Sequence, residues 1–142
     1  MTKTAANLKE KWHKLDRLYD AYSKKNGLNF ASILILELLR DTAQPVTQKE
    51  ICNKLVLPKQ FVNSIITQFW EKGYVELKEA RDRRNKNVLL TDTGREYVHT
   101  ILKPLDDAED AVLNSFTVEE VRFFMEIVDK YVKVFEAELK TS

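Results

Sequence analysis

Apolar side chains recur along much of this chain at alternating steps of three and four residues. Leu8, Trp12, Leu15, Tyr19 and Tyr22 form the first such stripe, the mark of a helix that turns one face to a core, and Asn26-Gly27 ends it. From about Asn29 to Arg40 the residues are apolar nearly all round, which predicts a second, buried helix. Gln44-Pro45-Val46 breaks the pattern. Thr47-Gln48-Lys49-Glu50 then reads as a capping box, the Thr hydroxyl taking an amide of the first turn while Glu50 folds back onto the cap amide. A short helix carrying Ile51, Cys52 and Leu55 follows and ends around Val56-Leu57. Pro58 fits the first turn of a further helix, where its missing N–H costs nothing. That helix runs to about Lys72, and Gly73 stops it.

At Tyr74 the period changes to two, with Val75 and Leu77 on one face. Val88 and Leu90 answer them beyond a polar tip, so the segment predicts a two-stranded ribbon. Thr91 can cap a long helix that begins near Gly94, passes Pro104 with a bend there and reaches about Ser115. Thr117-Val118-Glu119-Glu120 is a second capping box. It opens a last helix with Val121, Phe124, Val128, Tyr131, Phe135 and Leu139 on one side. The fold class is therefore mostly α: a winged helix-turn-helix over residues 44–92 with a two-stranded β wing. The flanking helices, residues 1–28 and 94–142, are longer and more apolar than such a reader needs. They predict a dimerisation unit within a single 142-residue domain.

Composition narrows the picture. With 44% hydrophobic and 32% charged residues but only 3 Gly and 3 Pro, the chain is neither disordered nor in need of staples. Its single cysteine, Cys52, excludes an internal disulfide framework and suits a reducing cytoplasm. The first residues lead into a charged stretch without a signal peptide's apolar core, and the greasy run from Phe30 to Leu39 is too short to span a bilayer. A net charge of +1 hides uneven territories. Residues 1–25 hold seven Lys/Arg against three acids, residues 78–86 hold five against two, and residues 104–120 hold six acids and no base. Such a distribution suits a protein that meets a polyanion with one surface.

Two segments carry the candidate chemistry. On the helix over 58–72, a step of about 100° per residue gathers Val62, Ile65, Ile66 and Phe69 on a core face. The opposite arc holds Gln60, Asn63, Ser64, Thr67 and Gln68, with no charge between Lys59 and Glu71. Solvated helix faces ordinarily carry Lys and Glu. Amides and hydroxyls instead match base edges in the DNA major groove, Gln and Asn pairing with adenine. Phe61 sits on the shoulder of that arc, at the core edge. Lys59 and the free amides of the helix start can meet phosphates. At the ribbon tip, Arg81, Arg83, Arg84 and Lys86 form a narrow basic finger able to enter a minor groove. Asp82 there would hold a neighbouring guanidinium by a charge-assisted bond.

These residues also resemble a known family. Asp82-Arg83-Arg84 followed after five residues by Leu90-Thr91-Asp92-Thr93-Gly94 is similar to the D-x-R…L-T-x-x-G wing signature of the multiple-antibiotic-resistance-regulator (MarR) family. Val46-Thr47-Gln48-Lys49-Glu50-Ile51 resembles its helix opening, and Leu57 to Val75 its recognition helix and turn into the wing. The resemblance implies a homodimeric cytoplasmic transcription regulator, a repressor, on a pseudo-palindromic operator of double-stranded DNA. It would put residues 60–68 in the major groove and Arg84 in the minor groove, with Asp82 supporting the wing. Ser64 stands where many members carry Arg, which implies a preference leaning to A·T. The family also implies release by a small aromatic ligand in a cleft that Trp12, His13, Tyr19 and Tyr22 could line, although a stripe of aromatics is equally a core or dimer face.

Other classes find less support. Cys52 falls on the apolar side of its helix, where a buried thiol is inert. Asp106, Asp107, Glu109 and Asp110 read as a solvated face, since His13 and His99 are the only histidines and no zinc spacing exists. No nucleophile elbow or phosphate loop is present, so neither enzyme nor cofactor is expected. The rival is a winged-helix module that binds protein without DNA; it predicts an apolar outer face on the 58–72 helix and no arginine-bearing tip.

Overall fold

The computed structural model, which describes residues 1–82 and 84–142, has six helices and a small three-stranded sheet among the described residues. The order is α1 (Lys3–Lys25), α2 (Phe30–Asp41), β1 (Val46–Thr47), α3 (Gln48–Leu55), α4 (Lys59–Glu71), β2 (Val75–Glu79), β3 (Lys86–Leu90), α5 (Asp92–Asn114) and α6 (Val118–Lys140). The mostly-α winged-helix architecture is the expected one. Short polar side chains start the helices as their chemistry requires. Thr2 accepts the Ala5 N–H at 3.1 Å, and Asn29 accepts the Ser32 N–H at 2.8 Å. At Thr117 the capping box is complete, with bonds of 3.1 and 2.9 Å.

Four local expectations need correction. The ribbon is not two-stranded: β1 pairs antiparallel with β3, Val46 opposite Val88, giving a sheet in the order β1-β3-β2. Because Thr47 belongs to that strand, its box is only half formed. The Thr47 hydroxyl accepts the Glu50 N–H at 3.2 Å and donates to the Glu50 carboxylate at 3.3 Å, so Glu50 does not reach back to the cap amide. Pro58 is the N-cap of α4 and not its first helical residue. α5 starts at Asp92, ahead of Gly94, capped by Thr91, whose hydroxyl accepts the Gly94 N–H at 2.9 Å.

The chain divides into two compact units, Met1–Leu102 and Lys103–Ser142. The division falls inside α5, which runs unbroken through Pro104, where the ring leaves the Thr100 carbonyl without its helical donor. In the first unit the core is built from Ile33, Ile35 and Leu36 of α2, Ile51 of α3, the inner face of α4, Val75 and Val88 of the sheet, and Val98 and Leu102 of α5. α1 belongs to this unit: the Tyr22 hydroxyl donates to the Ile101 carbonyl at 2.6 Å, and the Tyr19 ring lies 5.0 Å from that of Phe30. In the second unit no residue of α6 is buried. Among the described residues no helix is long and apolar enough to cross a membrane.

Candidate nucleic-acid interface

α4 divides as its sequence period requires. Val62, Ile65, Ile66 and Phe69 are buried, whereas Gln60, Asn63, Ser64, Thr67 and Gln68 are all exposed. The amide and hydroxyl face is therefore presented outward by a helix whose inner side is locked in the core. Pro58 offers no side-chain cap, so the amides of the first turn remain open beside exposed Lys59. Phe61 is more open than a core-edge residue, at 41% exposure, and Trp70, which the periodicity did not single out, is 55% exposed on the other shoulder.

At the wing tip, Arg81, Arg84 and Lys86 are exposed, and Arg83 lies outside the described residues. Asp82 is itself part of the turn. Among the described residues, its carboxylate accepts the Arg84 backbone N–H at 3.0 Å and the Asn85 side-chain amide at 3.2 Å, while its carbonyl accepts the Asn85 N–H at 3.0 Å. It shapes the turn through the Arg84 and Asn85 backbone and the Asn85 amide; the expected bond to a neighbouring guanidinium involves Arg83, which lies outside the described residues.

Between α3, the start of α4 and the wing lies a recess of about 560 Å³. Lys49, Lys59, Arg84 and Lys86 line it with Asn63, and no carboxylate does. Cys52 lines it too and is half-buried, which corrects the expectation of a thiol sealed in apolar surroundings. The helical step puts Cys52 at the margin of the Ile51–Leu55 face, and that margin opens on the recess. Lys49 was read only as part of a cap, and nothing local marked it as a neighbour of the wing.

The far end of α4 is fastened to α5. Gly73, at φ +78°, makes the turn that a side chain would resist. The Thr91 N–H then donates to the Tyr74 carbonyl at 3.0 Å, and the Thr91 hydroxyl to the Gly73 carbonyl at 2.6 Å. The Tyr74 and Tyr97 rings stack at 4.0 Å and 6°. Burial, and secondarily Tyr74, pushes the Tyr97 hydroxyl above its usual pKa.

The remaining candidates separate. On α1, Tyr19 and Tyr22 are half-buried and engaged as described, while Trp12 and His13 are exposed. On α5, Lys103 bonds Asp107 at 2.7 Å, a contact that raises the lysine pKa, and Asp107, Glu109 and Asp110 are exposed while Asp106 is half-buried. Among the described residues no group of three or more His, Cys, Asp or Glu is placed to hold a metal.

Comparison with known proteins agrees with this geometry. Residues 26–85, from the start of the α1–α2 turn to the wing tip, match the model of the MarR family. An uncharacterized HTH-type transcriptional regulator of Bacillus subtilis, YwoH, is 28% identical over 107 residues, covering 75% of this chain and 77% of that one. Among solved structures, NMB1585, a MarR family regulator from Neisseria meningitidis, superposes with a TM-score of 0.78 at 24% identity over 98% of both chains. The S. aureus MepR of a MepR–DNA complex gives 0.74 at 17% identity over 95% of this chain and 99% of its own. Residues 26–85 thus match the model of the MarR family, in a chain whose fold is similar throughout to those of NMB1585 and MepR.

Proposed function

We propose that this chain is a sequence-specific, DNA-binding transcription regulator, a cytoplasmic repressor that grips a pseudo-palindromic operator as a homodimer. One observation carries the reading: an uncharged amide and hydroxyl face, fully outward on α4, beside a basic wing. Gln60, Asn63, Ser64, Thr67 and Gln68 read base edges in the major groove, and Lys59 with the open amides of the α4 start holds a phosphate. Arg81, Arg83, Arg84 and Lys86 take the wing to the minor groove, on a turn shaped by Asp82. MepR, similar in fold, is known in a DNA complex, which supports DNA as the partner. The rival protein-binding module requires an apolar outer face on α4, whereas Phe61 and Trp70 are exposed only at the shoulders of an arc whose centre is amides and hydroxyls. No chemistry beyond binding is proposed. A small aromatic ligand at Trp12, His13, Tyr19 and Tyr22 would sit beside the Tyr22–Ile101 bond that ties α1 to α5 and would release DNA by disturbing it.

Selection of bound fragments from random duplex DNA, with and without phenolic ligands, tests the reading. It should return a palindrome whose half-sites lie about one helical turn, ~34–36 Å, apart. Gln60→Ala or Asn63→Ala should then change the preferred base, at about 1–3 kcal/mol per lost contact. Equal losses on every sequence would contradict direct readout, and no enrichment at all would end the proposal.

A further inference from the structure

We infer that Phe61 selects thymine: its ring packs on the ring methyl of a thymine, on the strand that borders α4 on the side away from the wing. This rests on the DNA-binding reading and adds to it a base and the residue that chooses it. Three observations converge. Phe61 is 41% exposed although the residues that follow it on the core side, Val62 and Ile65, are buried. The ring contacts that anchor α4 are those of Phe69 with Tyr74 and Tyr97, and among the described residues no ring pair includes Phe61. The helical period sets Phe61 beside Gln68 and one turn before Ser64, on the flank of the amide and hydroxyl arc. The opposite flank, with Lys59 and Asn63, opens on the cationic recess by the wing. α4 therefore presents an uncharged centre between one basic flank and one apolar flank. Trp70, the other exposed aromatic, stands in the last turn of the helix, beside the turn at Gly73 and outside that row.

A lone exposed apolar side chain needs no explanation by itself, but its place among base-reading groups does. Of the four bases only thymine offers an apolar group to the major groove. That methyl lies at the end of the thymine edge nearest its own sugar–phosphate strand, so a side chain on the flank of a reading helix meets the methyls of the strand on that flank. Gln60, Asn63 and Gln68 match adenine, and a ring beside them matches the base paired with adenine. A cytosine in the same place would turn its amino donor toward the ring, which offers no acceptor, and would lose a water in the exchange. The rise of about 1.5 Å per residue sets Phe61 about 4.5 Å along α4 from Ser64, close to one base-pair step, so the two address neighbouring pairs. Covering one methyl with an apolar surface corresponds to about fourfold in affinity.

The test takes a duplex that the full wild-type chain prefers and replaces its thymines singly by deoxyuridine, which lacks only the methyl. Wild type should lose about fourfold in affinity at one thymine of each half-site, always on the same strand relative to α4. Phe61→Ala should bind the thymine and uracil duplexes equally. Phe61→Leu, which keeps an apolar tip, should retain a smaller difference. Methylcytosine at the sensitive position should be preferred to cytosine by wild type and not by Phe61→Ala. Thermal unfolding confirms that both variants are folded, and the deoxyuridine scan of wild type decides the matter without them. If no thymine methyl matters to wild type, or if Phe61→Ala keeps the full sensitivity, the assignment of Phe61 is overturned and the DNA-binding reading stands on the duplex preference itself. A ring that served a protein partner would give that result. Wild-type protein that prefers no duplex would overturn both.

Discussion

α4 and α6 are written in the same code and end in opposite states. Each has an apolar stripe at three- and four-residue spacing and a polar remainder. In α4 the stripe disappears: Ile66 and Val62 have no exposed surface. In α6 nothing is buried, and Phe124, Tyr131, Phe135 and Leu139 remain between 44% and 60% exposed. An amphipathic pattern specifies that a face wants cover, not where the cover comes from. For α4 it comes from α3, β2 and Tyr97 of α5. For α6 an apolar row of this length on a water-facing helix is a large exposed patch of the kind that marks an interface, and in the proposed reading a second copy covers it.

That contrast can be broken directly, and the largest effect is expected on α6. Phe135→Asp would put a carboxylate into the proposed dimer interface and should weaken self-association by about 4 kcal/mol, on the order of a thousandfold. Sedimentation should find monomers whose helical content is unchanged. Ile66→Ala is the matching change on α4 and should cost about 3 kcal/mol of folding stability, independent of protein concentration. A dimer that survives Phe135→Asp moves the interface elsewhere, and a fall in helical content with it would mean that α6 is covered within its own chain.

A smaller effect is expected where α4 is fastened to α5. A methyl group on Gly94 would sit 1.9 Å from the Tyr74 carbonyl oxygen and 2.8 Å from its carbon. Backbone cannot yield as a flexible side chain does, so Gly94→Ala should cost about 2 kcal/mol. It should also disturb the Thr91 bonds to Gly73 and Tyr74. Thermal unfolding checks the cost. A near-neutral result would mean that the α4–β2 turn and α5 move freely of one another, and that the tightness around α4 stops at its own core face.

The two kinds of helix also explain how much the sequence disclosed. Most of what is set by neighbours a few residues apart was legible: the stripe of α4, its outward amides, the caps at Thr91 and Thr117, the stop at Gly73, with only the first residues of α4 and α5 displaced by one or two positions. The larger differences were set by distant partners. β1 is two residues long and exists because Val88 and Asn87 lie opposite Val46 and Thr47, some forty positions later. The same pairing turned the Thr47 capping box into half of one, while Thr117, free of any sheet, kept both bonds. Cys52 was misplaced because its exposure depends on a recess walled partly by the wing, and Lys49 was overlooked for the same reason. At Asp82 the side chain also makes a turn with its own neighbours Arg84 and Asn85, a local pattern that a reading of charge alone does not supply.

The smallest effect is expected at the turn leading into α4. Val56 has φ 54° and ψ 50°, a left-handed conformation that costs a β-branched residue about 1–2 kcal/mol, and at 87% exposure it recovers almost nothing by burial. Asn tolerates this region better. Val56→Asn should therefore raise stability by about 1 kcal/mol, read as a higher urea midpoint at unchanged slope. Val56→Gly should gain less, because glycine's freedom also favours the unfolded chain. Strain held at a position with no packing role is the kind retained for function, and this turn sets how α4 leaves α3 beside the cationic recess. If Val56→Asn stabilises the fold and leaves duplex affinity untouched, the strain is incidental. If stability rises while affinity falls, the turn holds α4 in a pose that the fold alone would not choose, and the outward face of α4 depends on more than its buried side.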